Sequence, residues 1–420
     1  MSVSVKRLLL GLRPDGRAVT LDEHLHLHGP LPGRLDRRSL LDVVEQSGLA
    51  GRGGAGFPTA AKLRAVAGGR GRKFVLANGV EGEPPSGKDK VLIRYVPHLV
   101  LDGVEVAAAA VGADQAVVAV SRAATEELAA LRHALRERRP SDHVEIRIAA
   151  VPDTFVAGEE TALVNAVAGG PPSPTETPPR PFERGIGGRP TLVQNVETLA
   201  QVALIARRGA AWFREAGTPE EPGSALFTVS GAVRLPGVYE VPLGTSLPDL
   251  VAEAGGLAQP PRAVLVGGFF GSWLDAATAS TCDLSEASLG SAGAMLGARA
   301  VVVLPEGSCA LAEVARVSRF LADESAGQCG PCVHGLDAIA GAVASLARSN
   351  GVDDEFRIRR WLEQVDGRGG CRHPDGAARF IRSALDVFAE EVALHRSGKS
   401  CPGRDLHLLP AQRASERRAA

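Results

Sequence analysis

The chain has 420 residues, of which 45% are hydrophobic and 23% charged, and its formal net charge is −1. This length accommodates about two or three domains with their own cores, and the charge indicates no polyanionic partner such as a nucleic acid. Six cysteines are too few for a secreted disulfide framework. The apolar stretches at 8–12 and from Val104 are too short or too interrupted by charge to be a signal peptide or a membrane span. We therefore expect a cytoplasmic protein that meets a membrane only through partners.

Strand-like and helix-like segments alternate in the first part of the chain. The hydrophobic pattern predicts strands at 73–77, 115–121 and 144–151, and helices at 40–46, 98–111 and 125–138. This alternation is typical of a parallel α/β layer.

The second half of the chain changes character after a Gly- and Pro-rich stretch, Gly217–Gly223, which indicates a linker. Short β-type runs and a helix at 247–254 then predict a small α+β module. Beyond Leu311 the pattern is helical, with predicted helices at 311–321, 335–347, 355–365 and 376–395.

A glycine-rich loop and two acidic pairs are candidate binding elements. Gly51–Pro58 follows a predicted helix, so it is not a Rossmann fingerprint, but its backbone N–H groups could hold a phosphate, with Arg52 and Lys62 supplying charge. Glu81 and Glu83 follow the strand at 73–77, and Gly158–Thr161 follows the strand at 144–151. Two acidic pairs at what we expect to be neighbouring strand ends favour recognition of hydroxyl and N–H groups of a ligand. Helix capping is the alternative role for the second pair.

Cysteines near the end of the chain have the spacing of metal ligands. Residues 324–332 read Glu-Ser-Ala-Gly-Gln-Cys-Gly-Pro-Cys, and Cys371 follows. The pattern is that of an iron–sulfur site in which Ala326 occupies the position of the first ligand.

Six ordered segments together resemble one family, the NADH-oxidising flavoprotein subunit of respiratory complex I, with relatives in NAD-linked hydrogenases and formate dehydrogenases. They are 51–62, 78–89, 158–163, 188–198, 229–241 and 324–332. The resemblance implies an α/β fold with a Rossmann-like FMN-binding domain, then a small β-grasp module of the soluble-ligand-binding type, then a C-terminal helical bundle that carries an iron–sulfur site. We expect an N-terminal extension at 1–36 and these domains at 37–217, 224–300 and 301–420.

The same resemblance assigns roles to individual residues. Glu83 and Glu160 would meet the nicotinamide ribose, and Phe57 and Phe182 would lie near the adenine of NAD. Cys329, Cys332 and Cys371 would bind the cluster. The implied FMN-binding residues are Gly51, Arg52, Gly53, Lys62, Asn78, Glu81, Gly158, Glu159, Glu160, Asn195 and Thr198.

Four positions depart from the family pattern. Val80 replaces an Asp, Gln194 replaces an Asn, and Ala65 replaces an aromatic residue of the adenine clamp. Ala326 removes a cluster ligand, which leaves three alternatives: a [4Fe–4S] cluster with a non-cysteine ligand such as Ser325 or His334, a [3Fe–4S] cluster, or no cluster.

The remaining candidate residues are three histidines and three cysteines. His24, His26 and His28 alternate, so on a strand all three would face one way, either as a metal site or, as we prefer, as a polar strand face. Cys282 and Cys309 are interpreted as small buried apolar residues. Cys401 is interpreted as a free thiol, with a role as reserve cluster ligand as the alternative.

The function that the resemblance implies is an NADH dehydrogenase-type oxidoreductase. It would transfer a hydride between NAD(H) and FMN and pass electrons through an iron–sulfur cluster to a thioredoxin-like 2Fe–2S subunit or a ferredoxin. One alternative is a scaffold subunit that keeps the fold but has lost nicotinamide turnover or the four-iron cluster. Another is an electron-transfer subunit of the membrane Rnf type.

Overall fold

The computed structural model describes residues 6–13, 15–32, 36–138, 144–351 and 353–411. They fall into two compact units. The first comprises the chain up to Gly82, together with Gly87–Phe227 and Glu240–Thr245. The second comprises Glu83–Ser86, Thr228–Tyr239 and the chain from Ser246 onward. The outer ends of the predicted extension and of the predicted iron–sulfur domain lie outside the described residues.

The first unit is built on a parallel sheet with strand order β3-β2-β1-β4. Its strands are β1 (Lys73–Gly79), β2 (Ala113–Ser121), β3 (Glu145–Val151) and β4 (Thr191–Asn195). Its helices are α1 (Leu21–His28), α2 (Arg37–Ser47), α3 (Thr59–Gly68), α4 (Lys88–Tyr95), α5 (Pro97–Val111), α6 (Thr125–Glu137), α7 (Glu160–Val167) and α8 (Val196–Arg214). Short 3₁₀ turns at Phe155–Gly158 and Ile186–Gly188 complete the unit. The predicted parallel α/β layer is confirmed.

The register of this sheet decides which loops meet. β1 lies between β2 and β4, and Asn78 near the end of β1 is paired with Asn195 at the end of β4. β3 lies on the far side of β2, so the ends of β1 and β3 are not neighbours, and that prediction is wrong. The β1 run Phe-Val-Leu-Ala is buried throughout, as expected for a central parallel strand that is covered on both faces.

The second unit contains a mixed sheet with strand order β6-β5-β9-β7-β8. β9 pairs parallel with β5 and antiparallel with β7. The strands are β5 (Ser224–Gly231), β6 (Gly237–Pro242), β7 (Pro261–Val266), β8 (Ser272–Asp275) and β9 (Ala300–Pro305), of which β5 and β6 each extend into residues assigned to the first unit. The stretch Gly217–Gly223 is a closed turn within the first unit, bridged between Gly217 and Pro222, rather than a linker.

Helices make up the rest of the second unit: α9 (Leu247–Glu253), α10 (Ala276–Ala279), α11 (Glu286–Ser291), α12 (Ala310–Asp323), α13 (Asp337–Ala347), α14 (Asp354–Val365), α15 (His373–Val387) and α16 (Ala389–Arg396). The single helix predicted at 376–395 is divided at Phe388, which is 3% exposed and packs edge-on against Trp273 with ring centroids 5.3 Å apart. A π-helical turn, Pro331–Leu336, precedes α13. Within the residues that the structure describes, no helix is both long and apolar enough to cross a bilayer.

The alternating histidines lie on helix α1 rather than on a strand, so that prediction is also wrong. Thr20 and Glu23 form a capping box that starts the helix, a local signal that outweighs the period-two pattern. His24 and His28 are then on the same buried face. The His24 Nε2 atom lies 2.6 Å from Asp102 Oδ2, so this histidine belongs to a buried charged network.

Candidate functional site

The glycine-rich loop connects α2 to α3 and approaches the end of β4. Gly51 N–H donates to the Phe57 carbonyl over 2.9 Å, which closes the loop, and Gly54 and Gly56 have φ of 102° and 63°, values that disfavour a side chain. A Cβ at Gly53 would lie 3.2 Å from the Asn195 Cβ. The absence of side chains therefore lets the loop backbone lie close to the carboxyl edge of the sheet.

Arg52 directs its side chain into the protein. It is 1% exposed, and its Nη2 donates to the carbonyls of Pro222 and Ser224 over 3.2 and 3.1 Å. Its backbone N–H donates to Thr198 Oγ1 over 2.8 Å. The guanidinium thus holds the loop against the start of β5, and the backbone ties it to α8.

Polar groups at the end of β1 contact the second acidic loop. Asn78 Nδ2 donates to the Gly158 carbonyl over 2.8 Å, and its Oδ1 accepts from Val80 N. The Val80 side chain lies in an apolar cluster with Val151 and Leu163, so it offers no polar contact. Glu81 accepts from the backbone N–H groups at the start of α4, Asp89 and Lys90. Although β1 and β3 are not adjacent, their following loops meet through Asn78.

Glu159 and Glu160 have different roles. Glu159 caps α7, with Oε2 accepting from Thr161 N and Ala162 N over 2.9 Å, which is the alternative role considered for the second acidic pair. Glu160 forms ion pairs with Lys62 at 3.0 Å and with Arg180 at 3.5 Å. Glu160 and Lys62 are both partly exposed, so this pair is accessible to a ligand.

A buried charged group at the ends of β1 and β4 was not anticipated from the sequence. Asn195 caps α8 and donates through Nδ2 to Asp89 Oδ2 over 2.7 Å. Lys88 Nζ lies 2.7 Å from Asp89 Oδ1 and 2.9 Å from Glu197 Oε2. Burial raises the pKa of Asp89 to about 6, against the lowering effect of Lys88. The sequence signal for this group was the Lys88–Asp89 pair, which follows the acidic loop.

Gln194, one of the positions that depart from the family pattern, donates to Thr59 Oγ1 at the start of α3.

A cavity lies beside α3, where the resemblance places adenine. Its volume is about 340 Å³. Ala65 and Phe182 line it, together with Gly68, Gly69, Arg70, Glu183, Gly188 and Pro190. Ala65, which stands where the family has an aromatic residue, therefore lines the same cavity as Phe182. Phe57 is 54% exposed and is not among the residues that line this cavity.

Glu83 belongs to the second unit. Its Oε1 accepts from Phe269 N over 2.8 Å, and a Cβ at Gly268 would lie 2.7 Å from the Glu83 Cδ. The residue is thus held by the turn between β7 and β8.

The three cysteines expected to bind a cluster are brought together. Cys329 starts the turn that leads into the π-helical segment, with its carbonyl accepting from Cys332 N over 3.1 Å. Burial, followed by the charges of Cys329 and Cys371, raises the pKa of the Cys332 thiol to about 12, and a hydrogen bond from Ser325 opposes this rise. Burial also raises the pKa of the Cys329 thiol, but hydrogen bonds from the backbone of Gly370 and Cys332 outweigh this effect, so the pKa is lowered. Ser325 is therefore the nearer candidate for a fourth ligand, since His334 is exposed.

Comparison with known proteins identifies the family of the chain. Family models match residues 44–204 as the Nuo51 FMN-binding domain, residues 226–268 as an SLBB domain, and residues 312–395 as the iron-sulfur binding region of NADH-ubiquinone oxidoreductase-F. F-subunit 2 of the NADH-quinone oxidoreductase of Rhizobium meliloti (strain 1021) is 34% identical over 379 residues, which are 86% of this chain and 90% of that protein. The chain belongs to the family of NADH-quinone oxidoreductase F-subunits.

Another member of this family and one related enzyme support the same assignment. The NADH-quinone oxidoreductase F-subunit of Streptomyces coelicolor (strain ATCC BAA-471 / A3(2) / M145) is 32% identical over 378 residues, 86% of this chain and 84% of that protein. Among solved structures, an NAD⁺-reducing [NiFe]-hydrogenase in the H₂-reduced state has a TM-score of 0.80 and 34% identity over 86% of this chain. This chain spans only 63% of that hydrogenase chain.

Proposed function

We propose that this member of the F-subunits oxidises NADH by hydride transfer to FMN and passes the electrons through an iron–sulfur cluster to a partner protein. The observation that carries the proposal is the convergence of the glycine loop, Asn78, Asn195 and the Lys62–Glu160 pair at one edge of a parallel sheet. All of them lie within the segment that matches the FMN-binding model. Ligands of open α/β sheets bind at this edge.

The residues at this edge fit a flavin mononucleotide. Gly53 lies against Asn195, and a Cβ at Gly158 would lie 2.9 Å from the Val80 carbonyl, so the backbone at Gly158 lies too close to β1 and its loop for a side chain. Lys62 and the loop N–H groups provide donors for a phosphate. When bound, FMN accepts two electrons as a hydride and releases them singly.

The chain's own groups would orient the two nucleotides. Asn78 and Asn195, paired at the ends of β1 and β4, would donate to the flavin. Glu160, held between Lys62 and Arg180, would accept from ribose hydroxyls. Glu159 would position the N-terminus of α7 by capping it, and Glu81 would position the start of α4 in the same way. Arg52 and Thr198 would fix the glycine loop. From the family resemblance, Glu83 would contact the nicotinamide ribose and Phe57 the adenine of NAD.

The nicotinamide nucleotide would bind with one stacking face missing. Phe182 lines the cavity beside α3 and Ala65 leaves the other side open. Loss of one aromatic contact removes about 1 kcal/mol of binding, which raises the Michaelis constant by about fivefold.

The three thiols fit an iron–sulfur cluster that is bound by three cysteine ligands instead of four. Cys332 interacts electrostatically with both Cys329 and Cys371, and Ala326 supplies no ligand. A hydroxyl or imidazole replaces a thiolate poorly. We therefore propose a three-iron cluster, or a four-iron cluster whose unique iron is easily lost.

The domain and partner assignments complete the proposal. A β-grasp module at 224–300 is supported by the SLBB match and by the mixed sheet. A helical iron–sulfur domain at 301–420 is supported by α12–α16 and by the family match at 312–395. The FMN/NADH-binding domain would span 37–217. A thioredoxin-like 2Fe–2S subunit or a ferredoxin would accept the electrons in the cytoplasm.

A second candidate function is a subunit that keeps FMN but not NADH turnover. It is favoured by Val80, whose side chain packs among apolar residues where relatives would offer a carboxylate. The two functions predict different behaviour with NADH.

The test is an anaerobic titration of FMN-reconstituted protein with NADH, followed by visible absorption. We expect FMN rather than FAD to be retained, and NADH to bleach the flavin band. A protein that retains no flavin in excess FMN would refute the proposal. Bound FMN that stays oxidised at millimolar NADH would support the second candidate.

A further inference from the structure

A group of side chains of the types that ligate metals lies where α16 and the segment after it meet the start of α12. Cys309, Glu391, His395 and Cys401 each place one ligand atom within 4.8 Å of the others. The first three are 1%, 3% and 1% exposed, and Cys401 is partly buried. This group shares no residue with the proposed flavin or cluster sites. The interpretation of Cys309 as apolar filling and of Cys401 as a free thiol does not account for their meeting here.

The separations of these atoms are those of a small tetrahedron. Cys309 Sγ lies 3.2 Å from Glu391 Oε1 and 3.8 Å from His395 Nε2, whereas Cys401 Sγ lies 3.5 and 3.3 Å from the same two atoms. The Glu391 Oε1 and His395 Nε2 atoms are 4.0 Å apart. A tetrahedral Zn²⁺ with S, N and O ligands requires edges of about 3.3–3.8 Å, so only small adjustments are needed.

Neighbouring groups already orient the ligands. Glu391 Oε1 accepts from Leu311 N over 2.9 Å, and its Oε2 is paired with Arg262 at 2.5 Å. His395 turns Nε2 toward the thiols while Nδ1 lies 3.3 Å from the Ser349 hydroxyl. A hydrogen-bonded second ring nitrogen and a fixed carboxylate are typical of protein metal sites.

Charge also favours a divalent cation. Two thiolates and a carboxylate would carry three negative charges, and a divalent ion together with Arg262 would balance them. Metal binding would release the two thiol protons to solvent.

We propose that Cys309, Glu391, His395 and Cys401 form a closed structural Zn²⁺ site that fastens the segment after α16 to the start of α12. Two sulfur, one nitrogen and one oxygen ligand in tetrahedral arrangement suit zinc, and the four protein ligands leave no position for a substrate. The site would stabilise α12, the helix that leads into the cluster-binding cysteines.

The test uses the full chain, purified under reducing conditions, with metal analysis followed by replacement of zinc by Co²⁺. We expect about one zinc per chain, and a visible cobalt spectrum of tetrahedral type with thiolate charge-transfer bands. X-ray absorption at the zinc edge should show two sulfur neighbours at about 2.3 Å and two N/O neighbours at about 2.0–2.1 Å. Absence of zinc and of the cobalt bands would overturn the proposal.

Two pairs of variants separate this site from the three-cysteine site. Cys401→Ser and His395→Gln should weaken zinc binding by at least about tenfold, whereas Cys371→Ser and the buried control Cys282→Ser should leave it unchanged. A chelator should lower the unfolding temperature of the wild type but not that of Cys401→Ser. Zinc that is lost with Cys371→Ser and kept in Cys401→Ser would place the metal at the cluster cysteines and refute the proposal. If a variant fails to fold, the absorption data on the wild type decide alone.

Discussion

Replacement of Arg52 by Ala is expected to act on stability more than on flavin affinity. The guanidinium is 1% exposed and donates to the carbonyls of Pro222 and Ser224. The Ser224 carbonyl also accepts from Gln201 Nε2 over 3.1 Å, so Arg52→Ala would leave the Pro222 carbonyl without its Arg52 contact and create a void. One lost charged hydrogen bond together with the void costs about 2–4 kcal/mol.

Thermal unfolding and FMN titration of the same variant measure the two effects. At about 2–4 °C per kcal/mol, the unfolding temperature should fall by roughly 4–16 °C. The FMN dissociation constant should change by less than about tenfold, because the Arg52 N–H bond to Thr198 does not need the side chain. The control is Arg72→Ala, which removes only a solvent-exposed ion pair with Asp114 and should leave the unfolding temperature nearly unchanged. An unchanged unfolding temperature with FMN affinity lowered by tenfold or more would show instead that Arg52 contacts the phosphate.

Three further predictions concern the adenine cavity, the cluster and the histidine network. Ala65→Phe should lower the Michaelis constant for NADH by about fivefold, and an unchanged constant would mean that adenine does not occupy the cavity. Ala326→Cys should convert the electron paramagnetic resonance signal of an oxidised three-iron centre into a four-iron signal seen only after reduction, and Cys371→Ser should remove the cluster. Burial, with the charge of His24, lowers the pKa of His28 from 6.5 to about 4, so between these values only the unfolded chain binds this proton. The free energy of unfolding should thus fall by up to about 3 kcal/mol from pH 6.5 to pH 4, and His28→Gln should show less of this loss in urea unfolding.

The regular elements of the α/β unit could be predicted from the sequence because their signals are local. β1 and β2 contain continuous apolar runs, β3 begins with apolar residues that alternate with charged ones, and α6 has an apolar face of period 3.6. Strand order is not local, which is why the ends of β1 and β3 were wrongly expected to be neighbours. The histidines of helix α1 repeat with a period of two, which predicts a strand, whereas the capping box of Thr20 and Glu23 starts a helix there.

Some site residues can likewise be identified from local motifs, whereas the positions of others depend on how distant parts of the chain pack. The glycines and Asn78 could be identified because they stand in motifs, but the direction of the Arg52 side chain depends on where the chain returns at Pro222 and Ser224. The grouping of Cys309 with Cys401 likewise depends on α16 packing near the start of α12, which no local pattern specifies.

Electron transfer from NADH to the cluster through FMN is the central claim, and electron paramagnetic resonance tests it directly. Protein reconstituted anaerobically with iron and sulfide is divided into FMN-loaded and FMN-free samples, and the cluster is oxidised before NADH is added. We predict that NADH abolishes the three-iron signal in the FMN-loaded sample only. A signal that persists in the FMN-loaded protein at millimolar NADH, or that disappears equally in both samples, would contradict the account.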